Sequence, residues 1–179
     1  MKSVVFFISM LVCIALLLYA QRKLIKYFET EDKKMKKLIV YQGIQGSGKS
    51  TAARKFVLED PNNRVRVNRD DIRLMLGLPF NRRLENLVTE IEDSALRACL
   101  ETEKTVVSDN MNLNPKVIHY LEMLAKEYDY EIEYRFIYTP LEECIERDSK
   151  RPNPVGENVI RKTYRVYENF IEKHNPEKQ

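Results

Sequence analysis

The sequence predicts an α/β fold: a parallel sheet of about four strands flanked by helices, preceded by an apolar, transmembrane-like N-terminal helix. Three observations predict it. Short apolar runs alternate with longer segments of helical period from residue 38 onward. The first run leads straight into a glycine-rich stretch, Gly43-Ile-Gln-Gly-Ser-Gly-Lys-Ser50. Strands that alternate with helices close as a parallel sheet through right-handed crossovers.

The elements follow in order. Leu38–Gln42 is the first strand, and the helix over Lys49–Glu59 stops at the turn Asp60-Pro-Asn-Asn. Arg64–Asn68 alternates as the second strand. Asp71–Leu76 is a short helix with Asp71 as its N-cap. Leu84, Leu87, Val88, Ile91, Ala95, Leu96 and Cys99 recur at helical spacing within Arg82–Glu103. Thr105–Ser108 is a short β-branched strand, and Asn114–Tyr128 is a helix with Pro115 in its first turn. Glu131–Tyr138 places Ile132, Tyr134, Phe136 and Tyr138 on one face of a fourth strand. Thr139–Glu142 reads as a capping box that opens a helix to about Arg147. Two prolines and a glycine make Asp148–Gly156 a loop, and Glu157–Lys173 is the final helix.

The chain divides into residues 1–34, an apolar anchor with a basic juxtamembrane linker, and residues 35–179, the α/β domain. Val4 to Ala20 is apolar except for Ser9, and these 17 positions hold 11 Leu, Ile, Val or Phe. As a helix they span about 25 Å, near the short limit for crossing a bilayer. Arg22, Lys23 and Lys26 follow at once, so the positive-inside rule puts the C-terminal side in the cytoplasm. The expectation is a single-pass anchor, with membrane association through residues 4–20. A cleaved signal peptide is the competing reading, but Leu18 is a poor residue three before a cleavage site. A third reading starts the working protein at Met35 and leaves it cytoplasmic.

The formal charge of +3 belongs to this leader. Residues 1–37 hold 8 Lys/Arg and 3 Asp/Glu, which leaves 22 basic and 24 acidic residues for the remainder. The α/β domain is therefore not a general polyanion binder. Cys13, Cys99 and Cys144 are far apart and form neither a zinc spacing nor a disulfide framework. His119 and His174 stand without neighbours that resemble metal ligands.

The stretch Gly43–Ser50 fits G-x-x-x-x-G-K-S/T, the phosphate-binding loop, in the strand–loop–helix context that it needs. The fold is then that of the P-loop NTPases and kinases. Gly43, Gly46 and Gly48 let the backbone curl so that N–H groups, Ser47 and Thr51 included, point at an anion. Lys49 reaches the β- and γ-phosphates of ATP, and Ser50 is the metal ligand, for Mg²⁺. Ligands of such sheets bind at the carboxyl ends of the strands, which places Asn68–Asp71 and Asp109–Asn112 beside this loop. Asp70 can accept a proton from an attacking hydroxyl, and Arg73, three residues on, can offer a fork to a phosphate. Asp109 can bind a metal-ligated water or hold an arginine. Arg147, Lys150 and Arg151 give the loop near 147–156 the charge of a lid.

These motifs resemble the kinase domain of the phage T4-type polynucleotide kinases, which phosphorylate 5′-hydroxyl ends. The resemblance runs from about Lys36 to about Phe170. It rests on Gly43–Thr51, on Asn68-Arg-Asp-Asp-x-Arg73, on Ser108-Asp-x-x-Asn-Leu-Asn-Pro115, on Ala125–Tyr128 and on Arg147-x-Ser-Lys-Arg151. It implies that Asp70 is the general base, that Arg73 contacts the acceptor's 3′-phosphate, and that Asp109 is an essential aspartate on the substrate side. It further implies that Arg151, and more weakly Arg147, hold the donor phosphates. The implied substrates are ATP, with Mg²⁺, and a 5′-hydroxyl end of RNA or DNA, with a separate phosphatase and ligase as partners in end repair. Two departures stand out. The segment between Arg73 and Asp109 is shorter than in that family. The D-x-D-G-T motif of the family's phosphatase half is absent, so the kinase half alone is expected. A P-loop kinase for a small molecule and a membrane-tethered nucleotide-binding module are the alternatives.

Overall fold

The computed structural model describes residues 16–24, 36–77 and 80–176 and falls into two units, Met1–Met35 and Lys36–Gln179. In the first unit residues 16–24 are helical and exposed. No helix among the described residues is long and apolar enough to cross a membrane. The predicted anchor therefore has no support in the structure, and its run from Val4 to residue 15 lies outside the described residues.

In the second unit β1 (Lys37–Gln42) leads to α1 (Lys49–Leu58), β2 (Arg64–Val67) and α2 (Arg69–Met75). A 3₁₀ turn, Arg82–Leu84, opens onto α3 (Glu85–Glu101), and β3 (Thr105–Asp109) precedes α4 (Pro115–Glu127). Then come β4 (Glu131–Phe136), α5 (Leu141–Ser149) and α6 (Glu157–Lys173). The four strands are parallel in the order β2-β3-β1-β4. Register pairs Val67 with Ser108, Tyr41 with Asp109, and Gln42 with Phe136. The four carboxyl ends therefore finish at one rim, and the segments that leave them share it.

Alternation sends successive residues of β1 to opposite faces. Leu38 and Val40 pack with Val88, Leu96, Leu100, Leu121 and Leu124 beneath α3 and α4. Ile39 and Tyr41 pack with Val107 and Ala53 against α1. A third cluster, Ile44, Leu113, Cys144, Ile160 and Ile171, joins the phosphate loop to α5 and α6. On the α1 face the Phe56 ring lies under Arg64 of β2 (3.8 Å from its centroid) and Arg135 of β4 (4.3 Å).

Three local expectations change. Asn68, not Asp71, caps α2: its extended backbone lets Oδ1 accept from the Asp71 N–H at 2.9 Å. Pro140 stands at the N-cap of α5 with no side-chain bond, so the capping box does not form. The Thr139 hydroxyl instead donates to Ser47 O at 2.9 Å. Tyr134 is exposed because β4 is an edge strand, covered less than the sheet centre.

Candidate active site

The loop after β1 is held by three backbone choices. Gly43, Gly46 and Gly48 all have positive φ, which other residues adopt at a cost. Gly46 also needs its missing side chain: a Cβ there would lie 2.2 Å from the Cys144 carbonyl oxygen. Gly43 N donates to Met111 O at 3.2 Å, which ties the loop to the segment after β3. Asn112 completes that seam, donating to Tyr41 O at 2.9 Å and to Ser108 O at 3.2 Å, while Gln42 donates to Asn112 O at 2.8 Å. Asn112 sits at φ 47, a left-handed conformation that Asn tolerates better than most residues.

The helix α1 opens with Gly48 at its N-cap and no side-chain cap. Its first N–H groups are therefore available to an anion, in the direction the helix dipole favours. Ser47 Oγ and Gln45 Oε1 are buried in the same loop without a hydrogen-bond partner. Lys49 Nζ reaches Ile44 O only at 3.4 Å. Burial pushes the Lys49 ammonium below its ordinary titration range; Asp109 and then Asp70 pull it back up, and Arg151 pushes it further down. Lys49 is thus the point at which Asp70, Asp109 and Arg151 converge electrostatically. These features fit a bound triphosphate, which would satisfy the open N–H groups, the Ser47 hydroxyl and the Lys49 charge together.

Asp109 is completely buried at the end of β3. Its carboxylate accepts from Ser50 Oγ at 3.0 Å, Arg66 Nη1 at 3.1 Å and Asn68 Nδ2 at 3.3 Å. Asn68 also bonds the Asp109 carbonyl, and Arg66 bonds Asp71. Burial lifts the Asp109 carboxyl above the ordinary carboxylate range, and Arg66, Ser50 and Lys49 draw it back. Of the roles open to Asp109 from sequence, holding an arginine is the one seen: it ties the start of α2 to the start of α1. The described residues contain no cluster of three or more His, Cys, Asp or Glu that could cage a metal. Ser50 Oγ, with Asp109 behind it, is the group that would hold Mg²⁺, which commonly takes few protein ligands beside phosphate oxygens and water.

Asp70 is exposed, on the first turn of α2, and its Oδ1 accepts from Arg73 Nη1 at 2.6 Å. Arg73 is mostly buried and occupied: Nε and Nη2 donate to the two oxygens of Glu85 at 2.9 and 2.8 Å. Arg69, next door, donates to Glu92 at 2.8 Å, to Thr89 at 2.9 Å and to Glu85 at 3.3 Å. Glu92 also accepts from Asn110 at 2.5 Å. Arg73 is thus partly engaged, with three of its five donors taken, and it ends an ion-pair chain that runs back to the β3 rim.

The two arginines expected to serve a lid differ. Arg147 Nη1 lies 3.4 Å from where a Gly48 Cβ would be, and it is paired with Glu143. Arg151, half-exposed, donates to Asp148 at 3.4 Å. Asp148 is buried and also accepts from the Gly156 N–H at 2.9 Å. It clasps both ends of the loop that carries Arg151. Lys150 faces away onto Glu146, four residues back in α5.

Sequence reasoning missed Arg66, Glu85, Glu92 and Asp148, and it gave Thr139 a different role. The first gave no signal beyond its place in an alternating strand. Glu85, Glu92 and Thr139 act on partners 12 to 92 positions away. Asp148 was hidden in what reads as a loop.

A family model described as an AAA domain matches residues 38–171. The "Putative bifunctional polynucleotide kinase/RNA ligase" of Autographa californica nuclear polyhedrosis virus is 29% identical over 150 residues, covering 74% of this chain and 21% of that protein. A chain from the structure of the Pnkp1/Rnl/Hen1 RNA repair complex is 30% identical with a TM-score of 0.66, over 79% of this chain and 47% of its own length. The APS kinase CysC of Mycobacterium tuberculosis, solved with AMPPNP and APS, shares the fold at 19% identity and a TM-score of 0.51, over 65% of this chain and 70% of that one. This chain spans about a fifth of the viral relative and about half of the repair-complex chain. The resemblance to polynucleotide kinases carried by the motifs holds, and the four-stranded parallel sheet is that of a P-loop kinase.

Proposed function

The chain belongs to the AAA domain family, and from that premise we propose that it is an ATP-dependent polynucleotide 5′-hydroxyl kinase. One observation carries the reading: the Asp109 clasp ties the helix that bears Asp70 and Arg73 to the phosphate loop and Lys49. An alcohol bound between them meets a carboxylate on one side and a phosphate cradle on the other. The names of the relatives, one a polynucleotide kinase/RNA ligase and one from an RNA repair complex, support RNA as the acceptor and a ligase as partner.

In the reaction the acceptor O5′ bonds to the γ-phosphorus while the bond from that phosphorus to the β–γ bridging oxygen breaks. The O5′ proton passes to Asp70. The positive charges of Lys49, Arg147 and Arg151 stabilise the negative charge that develops on the transferring and leaving oxygens. The bound cation would add Lewis-acid stabilisation at the same oxygens, with Ser50 as its protein ligand. Arg73 steadies Asp70 and takes the phosphate on the 3′ side of the reacting sugar.

The test is labelled ATP offered with a 5′-hydroxyl RNA, a 5′-hydroxyl DNA, a nucleoside 3′-monophosphate and a nucleoside. Label should enter the 5′ ends, and Asp70→Asn should abolish transfer while ATP binding persists. Transfer by the Asp70→Asn protein would reject the base assignment, and no label in any acceptor would reject the function. The apolar run at residues 4–20 would tether this kinase to the cytoplasmic face of a membrane.

A further inference from the structure

We propose that the exposed ring of Phe80, with Arg82 beside it, holds the nucleotide that follows the reacting one, so that the enzyme favours a single-stranded polynucleotide over a lone nucleotide as acceptor. The inference rests on the kinase reading above and deepens it. It assigns the preference for acceptor length to residues outside every motif of the sequence.

The surface grows out of α2. Asp70 and Leu74 stand four residues apart, so they share one face of that helix. Leu74 and Met75 end the helix with more than half of each residue exposed, and Phe80 is 66% exposed. Single apolar side chains scattered over a surface need no explanation, but a group of them beside a proton acceptor does. The Phe80 ring is also held in place. The Arg73 guanidinium lies 5.9 Å from its centroid, and Glu85 fixes that guanidinium through two bonds at 2.9 and 2.8 Å.

Arg82 adds charge to this surface. It opens the 3₁₀ turn ahead of α3, and Glu85 follows it by three residues. Residues at that spacing nearly eclipse in a 3₁₀ turn, so Arg82 leads the side on which Glu85 meets Arg73. Arg82 is exposed and has no carboxylate partner among the described residues. Most arginines of the α/β domain do have one. Beyond the leader the chain holds 22 basic and 24 acidic residues, so an unpaired cation next to an exposed ring is a local feature, not part of a general positive surface.

An open ring and a free guanidinium are the two parts of a single-strand site. The ring offers its face to a base, and the cation meets the backbone. Position then selects the nucleotide. In the kinase reading the reacting sugar lies at Asp70 and the phosphate on its 3′ side at Arg73. Phe80 adjoins Arg73, so its ring is level with the base beyond that phosphate. A small acceptor would leave these exposed side chains idle. A protein seated on them would stand in the way of the acceptor at Asp70.

The experiment compares the full chain with its Phe80→Ala, Phe80→Trp and Arg82→Gln variants in steady-state transfer. The acceptors are a short single-stranded 5′-hydroxyl oligonucleotide, as RNA and as DNA, and the nucleoside 3′-monophosphate of its first nucleotide. Binding of the oligonucleotide, labelled at its 3′ end, is followed by fluorescence anisotropy without ATP over a range of salt. In the wild type KM should be lower for the oligonucleotide than for the mononucleotide. Phe80→Ala should raise KM and Kd for the oligonucleotide about tenfold, the worth of one stacked base. KM for the mononucleotide and for ATP should stay at wild-type values, and Phe80→Trp should bind as the wild type does. Arg82→Gln should flatten the slope of log affinity against log salt by about 0.7, the share of one phosphate contact. Wild-type oligonucleotide binding by Phe80→Ala would overturn the inference, as would an equal loss toward both acceptors. A wild-type protein that transfers to neither acceptor would sink the kinase assignment. Anisotropy then decides the inference: weaker binding by Phe80→Ala than by the wild type upholds it, and equal or absent binding by both overturns it.

Discussion

Gly46→Ala tests the wall between the phosphate loop and the lid helix. Two costs can be worked out. At φ 81 an alanine sits in the left-handed region, which costs about 1–2 kcal/mol. Its Cβ would meet the Cys144 carbonyl oxygen at 2.2 Å, with Cys144 C at 2.8 Å and Cα at 2.9 Å. Ordinary contact requires the two backbones to separate by roughly 1.2 Å, and overpacking of this kind costs about 1–3 kcal/mol. Gly77→Ala isolates the second term: its φ of 87 is similar, and nothing lies within 4 Å of the added atom. Both variants pay for the backbone, and only Gly46→Ala pays for the clash. For a domain of this size each kcal/mol moves Tm by about 2–4 °C, so Gly46→Ala should melt about 2–12 °C below Gly77→Ala. The assay is thermal unfolding of both variants and wild type, with and without ATP. The shift that ATP produces should survive in Gly77→Ala and shrink in Gly46→Ala. Equal melting of the two variants would refute the contact with Cys144.

Three further outcomes are expected. Burial holds the Lys49 titration below its ordinary 10.5, so the folded protein gives up that proton before the unfolded chain does. Its stability contribution therefore rises with pH across the interval up to 10.5, while ATP affinity falls there; affinity that stays flat across it, or an alkaline fall that Lys49→Arg leaves in place, would reject this. Asp148→Ala removes the acceptor of the Gly156 N–H and the anchor of Arg151, and kcat should drop about tenfold through misplacement of the lid; wild-type kcat would reject the clasp. Fractionation of cells that make the full chain should leave it with membranes, and recovery of the intact chain in the soluble fraction would reject the anchor.

The phosphate loop was legible because it is local. Gly43 to Ser50 are contiguous, and each residue type there has one physical reason to be present. The rim was legible as well, since any residue that follows a parallel strand ends there; Asn68–Asp71 and Asp109–Asn112 did so. Asp70 with Arg73 was legible as a pair because three residues make nearly one helical turn. What could not be read was the partner of that pair. Glu85 belongs to a segment expected to be helical from Arg82, and nothing in its periodicity marks it as facing α2. The N-cap of α2 was misread for a related reason. Asn68 and Asp71 are both good capping residues, and the choice was made by Asp109, which captures the Asn68 side chain from another strand. The capping box at Thr139 failed because Pro140, not Thr139, takes the N-cap position, and the Thr139 hydroxyl turns to the Ser47 carbonyl.

The stacking of Arg64 and Arg135 on Phe56 bears on how this domain avoids sticking to itself. β2 and β4 are the two borders of the sheet, and open borders invite another chain to add a strand. Here each border sends a guanidinium over the same aromatic ring. An incoming strand would bring its backbone beside a residue whose positive charge is held at that border. One phenylalanine on a helix thus holds a charged residue of each border strand in place.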